Sequence, residues 1–200
     1  MKKLVAICIL LVLMSTGAAN AAFTLTFDEL PTQSVDGLSY NGITFGFKVG
    51  GNPSTDATYN AIGPGTLTYL QDPTLEGTTA GILILDFATP TDQLQFGVAL
   101  NSYNAVTPGY AVRLYDPSYA LIGVYSGNTS PLVLWSEGQF TYSGTPVSRA
   151  AIGFNEQAAS RFAVDNLTVN PVSAIPAPGA VLLGSIGLGL VNWLRRRRTL

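Results

Sequence analysis

Twelve carboxylates, no histidine and a single cysteine, Cys8, set the chemistry open to this 200-residue chain. Without histidine, and with its one thiol inside an apolar N-terminal stretch, the chain has no histidine-based triad, thiol nucleophile or typical zinc or copper site. Carboxylate chemistry remains, in two forms. A glycosidase needs two carboxyl groups about 5 to 9.5 Å apart across a cleft. The tightest pair in sequence, Asp28-Glu29, would point to opposite faces as strand neighbours, and no spacing singles out another. No catalytic residue is assigned, and the chain is expected not to be an enzyme. A structural calcium ion is the better use of these groups, because calcium collects about six to eight oxygens, backbone carbonyls among them.

Aromatic side chains offer a second chemistry. Nine tyrosines and two tryptophans are present, and an exposed ring gives a sugar a flat apolar face with a polar rim. Tyr103, Tyr110, Tyr119 and Tyr125 are expected in or near loops, where together they would form a ligand-binding platform. Trp135 closes the apolar run Leu132-Val133-Leu134-Trp135 and is expected in the core.

The elements that must position these groups read as β structure. Threonine, valine, tyrosine, phenylalanine and glycine are abundant, and no stretch keeps helical spacing beyond two turns. About ten short strands are expected between turn clusters. They include Phe23 to Phe27, Leu38 to Val49 around the tight-turn pair Asn41-Gly42, Thr66 to Leu70, Ile82 to Phe87 and Leu94 to Leu100. Later ones are Tyr110 to Tyr115, Leu121 to Tyr125, Leu132 to Trp135, Gln139 to Tyr142, Ala150 to Phe154 and Arg161 to Val169. Gly50 to Gly65 is expected to be a surface loop. Strands of this length and spacing predict an all-β fold, a two-sheet antiparallel jelly-roll-like sandwich over residues 22–170.

Both ends read as targeting segments. Residues 1–21 have the form of a signal peptide, with Lys2 and Lys3, the apolar run Leu4 to Met14, and an Ala19-Asn20-Ala21 cleavage site. That implies passage through the Sec translocon and loss of Cys8. Residues 171–200 hold Ile175-Pro176-Ala177-Pro178-Gly179, an uncharged stretch from Ala180 to Leu194, then Arg195, Arg196, Arg197 and Arg198. As a helix the uncharged stretch spans roughly 22 Å, so crossing the inner membrane requires length from Ile175 to Gly179 or local thinning. The arginines act as a cytoplasmic stop, leaving everything upstream outside. With both ends removed, four basic residues face twelve acidic ones, a net charge of −8. Such a surface repels phosphate backbones, so nucleic acid is not an expected partner. It suits divalent cations and neutral or cation-bridged polysaccharide.

The ordered tail of proline motif, membrane segment and arginine cluster resembles the PEP-CTERM sorting signal of exported bacterial proteins, with Ala177 in place of the glutamate. The resemblance implies an exosortase-type processing enzyme as partner, inner-membrane tethering before processing, and a final place at the cell surface or in extracellular matrix. Thr24-Leu25-Thr26-Phe27-Asp28-Glu29-Leu30 near the start and Phe162-Ala163-Val164-Asp165-Asn166-Leu167-Thr168-Val169 near the end resemble the first and last strands of carbohydrate-binding jelly rolls. That likeness implies a calcium ion tying the two strands through Asp28 or Glu29 with Asp165. Three functions stay open on this reading: a surface protein associated with exopolysaccharide or biofilm, a glycan hydrolase using paired carboxylates, and a purely structural matrix protein.

Overall fold

Alternation of apolar and polar residues, broken by glycine and proline, builds twelve strands and no helix among the described residues of the computed structural model, which are 21–172. They are β1 (Phe23–Leu25), β2 (Gln33–Ser34), β3 (Ser39–Tyr40), β4 (Ile43–Val49), β5 (Asn52–Pro53), β6 (Thr58–Ala61), β7 (Thr74–Thr78), β8 (Gly81–Leu100), β9 (Val106–Tyr115), β10 (Leu121–Leu132), β11 (Trp135–Phe154) and β12 (Arg161–Pro171). Every pairing is antiparallel.

Two long strands, β8 and β11, organise the rest. The first half of β8 pairs with β4 and with the second half of β11, which continues to β9 and β10. The second half of β8 pairs with the first half of β11 and with β12, which continues to β7 and β1. The register slips twice, between Ser143 and Val147, where Gly144-Thr145-Pro146 opposes Asp92, and between Val147 and Arg149, where Ser148 opposes Phe87-Ala88-Thr89-Pro90. Both strands bend there and pass from one layer to the other, a usual way of turning the corner of a folded sheet. Residues expected as four strands, 82–87, 94–100, 139–142 and 150–154, are therefore two.

The core lies between the layers. Ile43, Phe45 and Phe47 on β4, Leu83 and Leu85 on β8, and Val112 and Leu114 on β9 point inward from the first layer. Leu94, Phe96 and Val98 on β8 and Phe162, Val164 and Leu167 on β12 meet them from the second. Phe47 and Phe162 touch across the gap, ring centroids 5.9 Å apart, and Phe154 stacks on Phe162 at 3.8 Å.

Three expectations are corrected. Thr66 to Leu70 is no strand: residues 62–73 form a strap across the outside of the second layer, with Leu70 packed on Ala99 and Ala163. Its backbone hydrogen-bonds to side-chain carboxylates instead of a neighbouring strand. Glu137 accepts from the N–H groups of Thr68 (3.1 Å) and Tyr69 (3.0 Å), and Asp165 from that of Gln71 (2.8 Å). Leu132 to Trp135 is a hairpin turn, with Val133 at φ 57 and 81% exposed, and Trp135 packs half-buried beside Leu67 of the strap. Gly50 to Gly65 is not wholly surface, since Ala57 and Tyr59 within it are fully buried. The Asn41-Gly42 turn forms as expected, both residues at positive φ (47 and 79) joining β3 to β4.

Residues 1–20 and 173–200 lie outside the described residues, and with them most of the signal segment, the Ile175–Gly179 motif and Arg195 to Arg198. Among the described residues, no helix is long and apolar enough to cross a membrane.

Candidate functional site

The two layers present different outer faces. That of the second layer is half covered by the strap, so closely that a Cβ on Gly97 would collide with the Tyr69 carbonyl. Its open half is a ladder of amides and hydroxyls: Gln93, Gln95, Gln139, Thr141, Thr168 and Asn170. Among the described residues the first layer's outer face has no such cover. Across it Lys48, Ile82, Gly153 and Ala111 form one row, Gly46, Ile84, Ala151 and Arg113 the next, and Thr44, Asp86, Arg149 and Tyr115 a third. None of these twelve residues is buried. Small side chains on β11 (Ala151, Gly153) leave a low floor; a Cβ on Gly153 would meet nothing within 4 Å.

One side of this floor is built with care. Arg149 clamps Asp86 with two parallel hydrogen bonds, Nε to Oδ1 at 2.6 Å and Nη2 to Oδ2 at 2.8 Å, the geometry a guanidinium makes best. That contact holds the guanidinium pKa above its ordinary value. Tyr119 lies over the same guanidinium, 4.9 Å from centroid to Cζ, while remaining 58% exposed. The turn Asp116-Pro117-Ser118-Tyr119-Ala120 puts it there. Asp116 Oδ1 accepts from the Ser118 N–H (2.8 Å), the Ser118 hydroxyl (2.7 Å) and the Ala120 N–H (2.9 Å). These donors, the Ser118 hydroxyl foremost, hold the Asp116 carboxyl below the usual range and therefore ionised. Ser148 donates from across the corner to the Asp116 carbonyl at 2.5 Å. Tyr119 is thereby fixed at φ 62, a conformation costly for a bulky residue and met mostly where surrounding structure imposes it.

Of the four tyrosines expected as a platform, Tyr119 alone joins this face. Tyr110 is a correction: β9 points residues 110, 112 and 114 inward, and its ring is 2% exposed, in space left by the missing side chain of Gly127. Tyr125 turns toward the core edge, packing edge-on to Phe140 (6.3 Å) and Tyr142 (5.6 Å). Tyr103 is exposed but precedes β9, whereas Tyr119 follows it, so the two sit at opposite ends of that strand. Sequence reasoning passed over Lys48, Asp86, Arg113, Tyr115 and Arg149. The pattern Val112-Arg113-Leu114-Tyr115 held the signal, since alternation sends Arg113 and Tyr115 to the face opposite the core.

The expected calcium ligands are otherwise engaged. Glu29 accepts from the Thr26 N–H at 2.8 Å and from the Tyr59 hydroxyl at 2.5 Å, and Asp28 from the Thr26 hydroxyl at 2.7 Å. Asp165 is 1% exposed; its Oδ2 takes the Gln71 N–H while Oδ1 has no partner among the described residues. Burial pushes this carboxyl up to about 6, against the pull of the Gln71 N–H. Among the described residues no group of three or more His, Cys, Asp or Glu side chains is placed to hold a metal ion, while the charges of Glu29 and Asp28 reach Asp165 and add to the rise of its carboxyl.

A cleft of about 470 Å³ opens where β1 meets the end of β12, lined by Phe23, Ile43, Phe87, Val169 and Pro171 with Asn41 and Thr91. The Thr91 hydroxyl is spent on the carbonyls of Gln93 (2.6 Å) and Asn170 (2.8 Å). Ala21 and Ala22, at the expected cleavage point, form part of its wall.

No family model and no curated protein matches the chain. Among solved structures it is similar to the K2 cleaved adhesin domain of Lys-gingipain, at 14% identity and TM-score 0.42 over 74% of this chain and 99% of that one. It is similar also to a CBM4 module (14%, TM-score 0.43, 74% and 97%) and to a family 29 carbohydrate-binding module (10%, TM-score 0.38, 77% and 99%). Likeness at this level transfers no residue role or ligand to this chain.

Proposed function

We propose that this is an exported, non-enzymatic β-sandwich that binds polysaccharide on the uncovered outer face of its first layer. The observation that carries the reading is Tyr119, held at positive φ by the Asp116 turn with one ring face on Arg149 and much of the ring open to solvent. A sugar ring stacks on the free side, and the glycan runs over Ala151 and Gly153, where small side chains let it approach the backbone. Asp86, Asp116 and Asp36, the carboxylates beside the floor, are engaged by Arg149, by the turn and by the Phe47 N–H. None is left free as the second member of an acid–base pair, which favours binding over hydrolysis.

Retention of the full chain on insoluble polysaccharide tests this reading. Tyr119→Ala weakens retention about three- to tenfold, while Tyr103→Ala leaves it unchanged. Equal effects from both substitutions would defeat the assignment of the face.

The export half of the proposal rests on the order of residues in the two ends. The PEP-CTERM-like tail hands the domain to an exosortase-type enzyme that cuts near Pro176 to Pro178 and releases it to the cell surface or matrix. The intact mass of protein recovered from outside the producing cells then ends near Ala177 or Pro178. A mass that still contains Arg195 to Arg198 would make the tail a permanent anchor.

A further inference from the structure

The domain between the two ends carries twelve acidic residues and only four basic ones, Lys48, Arg113, Arg149 and Arg161. Three of the four, Lys48, Arg113 and Arg149, lie on the outer face of the first layer. Arg149 is neutralised by Asp86, and Arg161, on the other layer, by Glu76 and Asp56. Lys48 and Arg113 are exposed and have no ion-pair partner among the described residues. They stand on β4 and β9, with β8 and β11 between them, about 14 Å apart across the strands. Placing two of so few cations on the same open floor, unpaired in a domain rich in carboxylates, is not what charge balance alone would give.

We infer that the ligand of this face is an anionic polysaccharide, whose acidic groups are met by Lys48 and Arg113. The inference rests on the reading of the face as a polysaccharide site and adds the chemical class of the chain bound there. Each cation gives a sugar carboxylate a charge-assisted hydrogen bond, which a neutral hydroxyl matches poorly. The domain's net charge of −8 does not forbid this, because at physiological salt charges beyond about 8 Å are largely screened. What a bound chain senses is the local field of the floor. The contact is direct, in place of the neutral or cation-bridged polysaccharide expected from net charge.

The test compares binding of the full chain, in a polyoxyethylene-ether detergent with EDTA present, to polygalacturonate and to uncharged hydroxyethylcellulose. EDTA removes any divalent cation that could bridge the glycan to surface carboxylates. Polygalacturonate is expected to bind the more tightly, to weaken steeply toward about 0.5 M salt, and to lose about tenfold in the double variant Lys48→Gln/Arg113→Gln. Both positions are exposed, so the melting temperature of that variant should match the parent. The salt dependence of the parent is an independent check that needs no variant. Equal or tighter binding to hydroxyethylcellulose, insensitive to the double substitution, would overturn the anionic class and leave the polysaccharide face standing. Polygalacturonate binding unchanged in the double variant would overturn the assignment to Lys48 and Arg113. Binding to neither polymer would overturn this inference together with the reading beneath it.

Discussion

Asp165 shows what burial does to a single side chain here. Its carboxyl is 1% exposed with one unpartnered oxygen, and its pKa stands at about 6 against an ordinary 3.8. The folded protein therefore binds this proton more tightly than the unfolded chain does. The favourable contribution is complete below about pH 4 and is lost as pH rises through about 6. Asp165→Asn keeps an acceptor for the Gln71 N–H but cannot ionise, so its stability relative to the parent should improve by about 2–3 kcal/mol between pH 4 and pH 7.5. Urea titrations at the two pH values measure it. A difference independent of pH would contradict the account. A melting temperature raised by excess calcium in the parent and not in the variant would instead bring Asp28, Glu29 and Asp165 together on an ion. The sequence marked Asp165 by its place in the last strand, but the strap that buries it was not visible there. Tyr110 and Tyr119 make the same point from the other side. Both read as tyrosines near turns, yet strand alternation sends one into the core, and three hydrogen bonds to Asp116 push the other out.

At the scale of elements, local rules were reliable for turns that carry a polar or glycine signature, and missed the apolar hairpin turn Leu132 to Trp135, which carries none. Asn41-Gly42 dictates its own hairpin, and Asp116-Pro117-Ser118 its own turn. They failed where a segment's partner is distant. The Pro- and Gly-containing stretches Ala88 to Asp92 and Ser143 to Pro146 look like strand ends, and instead are the bends by which β8 and β11 serve both layers. The alternation of Thr66 to Leu70 looks like a strand, but its Thr68 and Tyr69 N–H groups go to Glu137, some seventy residues on, and its Leu67 N–H to the Leu70 carbonyl. That dependence is testable. Glu137→Ala leaves the Thr68 and Tyr69 N–H groups without their acceptor, at a cost of about 1–3 kcal/mol. It should also expose residues 62–73 to protease before the rest of the domain unfolds. Unchanged resistance of that segment would mean that Leu70, packed on Ala99 and Ala163, suffices to hold the strap.

For the molecule as a whole, composition foretold the all-β class, and the count of carboxylates foretold an acidic domain. Composition could not tell where the few cations would lie, because Lys48, Arg113 and Arg149 are spread over a hundred residues and meet only when β4, β9 and β11 join one layer. The result is a domain with unlike sides. One is partly covered by a strap tied down by buried carboxylates; the other is open, floored with alanine and glycine, bordered by Tyr119 and carrying the unpaired charge.

The most direct test of the central claim is to locate bound polysaccharide on the domain by amide chemical-shift mapping with a soluble acidic oligosaccharide. The account predicts that the shifts concentrate on Gly46, Ala111, Ala151, Gly153 and the 116–120 turn. Shifts confined to the Gln93–Gln95–Thr168 ladder of the second layer, or to the cleft between Phe23 and Pro171, would contradict it.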